Sequence, residues 1–304
     1  MIMRFIQGFC MALADSVPGV SGGTIAFLLG FYDQFIGSID ALIRGTKEER
    51  KKAFWFLVKI GVGWVIGFCM AILFITSVFE EHIYEISSLF IGFILFAIPI
   101  IVMEEKDCMK GRYANGIFIL LGAVLVVLIT YFSGSTILSG SVDLAVGKFD
   151  VKIGILLFVA GMIAIAAMVL PGISGSTILM VFGLYVPVTT AIKDILHLKF
   201  EYIPAVAIFG IGIIAGVVLV IRLIKNLLEK YRSQTVYFII GMMIGSFYSI
   251  CMGPTTLRDV NDLNKGLDML GLDTFSILYF LLGGIIIFGL QALKMYTEKK
   301  QSSK

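Results

Sequence analysis

The sequence predicts an all-α polytopic membrane protein with an inverted-topology repeat, each half a re-entrant helical hairpin plus three transmembrane helices. Three observations predict it. The chain is 59% hydrophobic and only 15% charged, with a mean hydropathy of +0.99, far above soluble proteins. Apolar stretches approaching the roughly 20 residues that cross a bilayer recur along it with no soluble domain between them. Two Gly/Pro/Ser/Thr-rich motifs interrupt this pattern, "DSVPGVSGGTIAFLLGFYD" at 15–33 and "LPGISGSTILMVFGLYVPV" at 170–188.

The motifs are copies. Pro18, Gly19, Ser21, Gly22, Thr24, Ile25, Gly30 and Tyr32 match Pro171, Gly172, Ser174, Gly175, Thr177, Ile178, Gly183 and Tyr185. Downstream, "GVGWVIG" (61–67) matches "GIGIIAG" (210–216), and Gly92 meets Gly241. Those glycines alone imply close helix packing. The first repeat, 1–134, is expected to hold a hairpin at 3–43 and spans at 53–79, 86–103 and 115–133. An external linker follows at 135–152. The second repeat, 153–304, holds a hairpin at 153–196 and spans at 203–224, 234–252 and 273–293. The N-terminal "MIMRFIQGF" has one Arg and no small-residue cleavage site, so a removable signal peptide is not expected. Cys10, Cys69, Cys108 and Cys251 lack CxxC spacing, which speaks against disulfide and zinc chemistry.

Basic residues decide how the motif segments lie. If each dips in and returns, all but Lys148, Lys152, Lys193, Lys199, Arg258 and Lys265 of the 24 Lys and Arg residues share one side. If each crosses, the basic residues divide almost evenly. The positive-inside bias favours the first arrangement and places both termini in the cytoplasm. Three crossings per half then turn the second half upside down.

Non-helical backbone at membrane depth must be buried in protein or line a wet cavity. The limb before Pro18, about 12 residues or roughly 18 Å, is too short to cross. Pro18 and Pro171 end the descending helices, and the glycines allow reversal. The returning helices begin at Ser21–Thr24 and Ser174–Thr177, where free N–H groups and hydroxyls can cap the helix or donate to a ligand. Brought together near the midplane, two such ends suit an anion, above all phosphate. The plainer alternative is that they are packed breaks that only shape the bundle.

Asp15 precedes the first motif, and its counterpart is Met168. An intramembrane carboxylate costs about 2.5–3.5 kcal/mol to insert, so it has a partner or a task. It is either a loop cap or a protonatable group that couples anion release to proton movement. Asp33 is a second coupling candidate, or a solvated helix-end residue. Tyr32 and Tyr185 read as interfacial tyrosines able to meet a head group. Arg222, Arg44 and the loop after Arg44 read as snorkelling cations near anionic lipid. His82 and His197 fall in loops on the far side.

The paired motifs resemble those of the bacterial polyprenyl-phosphate translocase family, along nearly the whole chain. The resemblance implies return of undecaprenyl phosphate from the outer to the cytoplasmic leaflet, for reuse in peptidoglycan and teichoic acid synthesis. It carries substrate binding onto Asp15, Pro18, Gly19, Ser21, Gly22, Gly23 and Thr24, and onto Pro171, Gly172, Ser174, Gly175, Ser176 and Thr177. Ser176 stands where the first motif has Gly23, so the half-sites need not contribute equally. The expected location is the bacterial cell membrane, with the lipid carrier and membrane lipids as partners and a homodimer as candidate assembly. No nucleic acid, cofactor, metal or catalytic residue is expected. One competing reading is a membrane polyprenyl pyrophosphate phosphatase, disfavoured because neither motif has the Glu or His that hydrolysis wants. Another is a transporter of a small soluble anion.

Overall fold

The computed structural model describes residues 2–15, 21–70, 82–133, 144–146, 150–256 and 267–302. Pro18 and Gly19, most of the 135–152 linker and the end of the expected 53–79 span lie outside the described residues. The described chain is helical: α1 (Ile2–Asp15), α2 (Gly22–Leu28), α3 (Tyr32–Arg44), α4 (Lys47–Met70), α5 (Ile83–Glu104), α6 (Lys106–Met109), α7 (Ile117–Ser133), α8 (Val151–Val169), α9 (Gly175–Val181), α10 (Tyr185–Leu196), α11 (Ile203–Lys230), α12 (Arg232–Met252) and α13 (Ile277–Ser302). Among the described residues six helices are long and apolar enough to cross a membrane, or eight if each bent pair counts as a span, which makes this a multi-span membrane protein.

The motif boundaries follow from local chemistry. Ser21 is the N-cap of α2, its hydroxyl accepting from the Thr24 N–H. Ser174 holds the same place before α9, with extended backbone and no side-chain cap bond. α8 stops at Val169, just before Pro171, because proline can neither donate to the preceding turn nor clear its carbonyl. Each short helix ends on a left-handed glycine, Gly30 at φ 65° and Gly183 at φ 68°. There the N–H groups of Phe31 and Leu184 reach back to the carbonyls of Ala26 and Leu179. This is the Schellman closure that glycine makes accessible. It turns the chain by 119° between α2 and α3 and by 116° between α9 and α10.

Packing repeats in the same way. α1 lies on α4 and α8 on α11, while α5 pairs with α13 and α7 with α12. A Cβ at Gly63 or Gly67 would strike the carbonyls of Phe5 or Phe9, and one at Gly212 or Gly216 those of Phe158 or Met162. These glycines let backbones touch. The halves are not equal, however. All seven residues of α2 are buried, against only Gly175 and Ile178 of α9.

Some lengths differ from expectation. α8 has 19 residues and is long and apolar enough to cross a membrane by itself, whereas α1 has 14. α4 begins at Lys47, ahead of its apolar run, and α11 continues to Lys230 through the basic cluster. Polar residues extend a helix beyond the apolar slab as readily as apolar ones. α13 begins at Ile277 rather than 273.

Charged groups gather at one end. Arg232 meets Asp33 at 2.7 Å and Glu105 at 2.5 Å, and Lys225 meets Asp40 at 2.6 Å. Arg4 donates to Gln34 at 2.6 Å, and Gln291 to Glu104 at 2.8 Å. The opposite ends of α5 and α11 carry contacts from Tyr84 to the Asp268 carbonyl and from the Val146 N–H to the Glu201 carbonyl. In a variant lacking native thiols, single cysteines replacing exposed Glu48 and Leu198 should label from opposite sides of the membrane. Labelling from one side overturns this arrangement.

Candidate functional site

The two motifs touch. Where α8 ends before Pro171, the carbonyls of Val169 and Leu170 lose the helical donors that would follow. The first motif supplies replacements. The Tyr32 hydroxyl donates to the Val169 carbonyl at 3.1 Å, and the Ser21 hydroxyl to the Leu170 carbonyl at 3.1 Å. In return the Gly172 N–H donates to the Thr24 hydroxyl oxygen at 2.9 Å. Ser21 and Thr24 lie 3.1 Å apart, so one proton arrangement satisfies all of them: Gly172 to Thr24, Thr24 to Ser21, Ser21 to Leu170. Gly23 allows the approach, since a Cβ there would strike the Val169 carbonyl.

Asp15 occupies the head of α2. Its carboxylate accepts from the Gly22 N–H at 2.6 Å and from the Trp64 indole N–H at 2.9 Å. Trp64 was not singled out from sequence. The usable signal is that an indole N–H within an apolar span needs an acceptor, and Asp15 is the nearby intramembrane carboxylate. The second half lacks this arrangement. Met168 packs where Asp15 does, its Sδ 2.9 Å from where a Cβ of Gly175 would sit, as an Asp15 oxygen is 2.8 Å from that of Gly22.

The remaining candidates divide. Ser174 and Ser176 bond to each other at 2.6 Å, and Ser176 and Thr177 are half-buried on α9. Tyr32 is buried rather than interfacial, at 2% exposure, because its hydroxyl is needed at the end of α8. Tyr185 is 37% exposed. Asp33 is away from the motif contacts, in its ion pair with Arg232. The motif hydroxyls Ser21 and Thr24 meet the facing motif rather than open space. Every buried side-chain polar atom among the described residues has a partner.

Beside the contact lies a cavity of about 740 Å³, open on one side. Asp15, Gly22 and Gly23 form one wall, with Leu57, Val58, Val62 and Val65 of α4 and Ile165 and Met168 of α8 around them. Among the described residues Asp15 is its one charged lining residue. Its size falls in the usual range for lipidic and small-molecule sites, about 300–1,000 Å³.

A family model described as undecaprenyl phosphate translocase-like matches residues 11–267, which include both motifs and the cavity walls. The chain belongs to this family. A polyprenyl-phosphate transporter of Staphylococcus aureus is 30% identical over 256 residues, covering 84% of this chain and 88% of that protein. Another of that name, from Vibrio cholerae serotype O1, is 30% identical over 266 residues, covering 84% of this chain and 79% of its own. No solved structure matches. The contact between the motifs and the Asp15–Trp64 pair therefore sit inside the region that the family model matches.

Proposed function

We propose that the protein is a polyprenyl-phosphate translocase of the bacterial cell membrane, returning undecaprenyl phosphate from the outer to the cytoplasmic leaflet. It acts as a transporter, with no catalytic residue. The observation that carries this reading is the direct bonding of the two PGxSG motifs, the Gly172 N–H donating to Thr24 and the Ser21 hydroxyl to the Leu170 carbonyl. The barrier to moving a polyprenyl phosphate is its anionic head, since the tail is at home in lipid. Donors that now satisfy one another, the hydroxyls of Ser21 and Thr24 and the Gly172 N–H, can turn to phosphate oxygens when the loops part. Gly22, Gly23, Ser174, Gly175, Ser176 and Thr177 complete the slot, Pro171 sets the break after α8, and the apolar cavity takes the first isoprene units.

In this reading, 3–43 (α1–α3) and 153–196 (α8–α10) are the re-entrant hairpins of an inverted repeat. The bends near 120° and the repeated packing support it, as does the basic end formed by Arg4, Lys225 and Arg232, read as cytoplasmic. Asp15 holds the head of α2. It must take up a proton or swing aside as the anion enters, which makes it the coupling candidate over Asp33.

Purified protein in liposomes with labelled polyprenyl phosphate tests the proposal. Leaflet exchange without phosphate release is expected. Release of inorganic phosphate from the pyrophosphate form would make the protein a phosphatase. Uptake of a soluble anion with no lipid exchange would make it a small-anion transporter.

A further inference from the structure

We infer that a second, peripheral site at the basic end of α1 and α4 binds the phosphate headgroup of a membrane lipid. A pocket of about 450 Å³ there is lined by Arg4, Lys51, Lys52, Trp55, Phe56 and Lys59. Four cations share it, and among the described residues none of the four forms an ion pair, whereas Lys199, Lys225 and Arg232 each meet a carboxylate. Two acids stand in the first turn of α4: Glu49 accepts from the N–H and hydroxyl of Thr46 at 2.8 and 2.9 Å, closing the cap of α4, and exposed Glu48 meets none of the four cations. Arg4 is held in place. Its guanidinium sits 4.8 Å above the Phe56 ring and donates to Gln7 at 2.9 Å and Gln34 at 2.6 Å.

The position points to a lipid rather than a soluble anion. The lysines flank the start of the apolar run of α4 and Trp55 is 53% exposed, the arrangement of an interfacial aromatic with snorkelling cations. Trp55, Lys59, Val62 and Ile66 follow one another at i, i+4, i+7 and i+11, a single stripe of the helix. Val62 is 50% and Ile66 43% exposed, and both also line the large apolar cavity. A phosphate among the cations would therefore lay its chain down this stripe to the cavity mouth. Either an anionic phospholipid or the polyprenyl phosphate itself offers that chemistry, and binding does not depend on transport.

Trp55 is the reporter. The protein has two tryptophans, so Trp64→Phe leaves Trp55 alone. In phosphatidylcholine nanodiscs, quenching by brominated phosphatidic acid should exceed that by brominated phosphatidylcholine. The triple change Lys51→Gln, Lys52→Gln, Lys59→Gln should cost about ten- to a hundredfold in apparent affinity, and the triple Lys→Arg change should retain binding. Native mass spectrometry of lipid retained by protein with both tryptophans gives a second readout. Competition identifies the source. Displacement by polyprenyl phosphate but not by phosphatidylglycerol assigns the site to the transported lipid, and equal displacement by both assigns it to anionic phospholipid. Equal quenching by the zwitterionic lipid, or displacement by inorganic phosphate without lipid preference, overturns the site. Failure of leaflet exchange in a separate assay would leave this binding result standing.

Discussion

Gly23→Ala is expected to reduce lipid exchange in proteoliposomes by about a hundredfold while leaving the protein in the membrane. The added methyl would meet the Val169 carbonyl, a backbone atom fixed by the end of α8 and by Tyr32. Overpacking of this kind costs about 1–3 kcal/mol where neighbours can shift, and more where they cannot. Gly22→Val should be nearly as severe, because its side chain would press on an Asp15 carboxylate held by two hydrogen bonds. Gly175→Ala should be milder. Its new methyl meets the Cγ and Sδ of Met168 at 2.7 and 2.9 Å, and an unbranched thioether can move away. Ser176 already carries a Cβ at the position matching Gly23. Equal exchange by wild type and all three variants would reduce the motifs to scaffolding.

The breaks were legible in the sequence because they rest on local chemistry. Proline ends α8, serine starts α2 and α9, and a left-handed glycine closes each short helix, all within a few residues of one another. Close packing was legible for the last two glycines of each G-x-G-x-x-x-G pattern, but not for the first, since Gly61 and Gly210 have no neighbour where a Cβ would sit. The pairing of one motif with the other was not legible. It depends on which distant hydroxyl reaches the carbonyls freed before Pro171, and no local pattern encodes that Tyr32 and Ser21 do so. Tyr32 misled for this reason: a tyrosine after an apolar run reads as interfacial until a buried acceptor is known. Helix ends beyond the apolar slab were misjudged because hydropathy registers the lipid boundary, while the backbone of α4 and α11 follows helix propensity past it.

Asp15→Ala should abolish exchange and lower thermal stability, and Trp64→Phe should do part of the same damage. An intramembrane carboxylate costs about 2.5–3.5 kcal/mol, and its bonds to the Gly22 N–H and the Trp64 indole, at roughly 1.5–3 kcal/mol each for a charged acceptor, offset that cost. Removing the carboxylate strands both donors. Removing only the indole leaves Asp15 Oδ2 without its donor but keeps the Gly22 bond to Oδ1, a smaller loss. Because the two residues act through one contact, the double variant should be scarcely worse than Asp15→Ala, a non-additivity that a double-mutant cycle measures directly. Asp15→Asn separates anchoring from coupling. Its single amide oxygen cannot serve both donors as well as two carboxylate oxygens do, so some stability is lost, and the group can no longer take up a proton. Exchange measured with and without an imposed pH gradient then decides between the two roles. A gradient that speeds wild type and leaves Asp15→Asn unchanged assigns proton coupling to Asp15. A wild type indifferent to the gradient leaves Asp15 as the cap of α2, with Trp64 as the residue that holds it there.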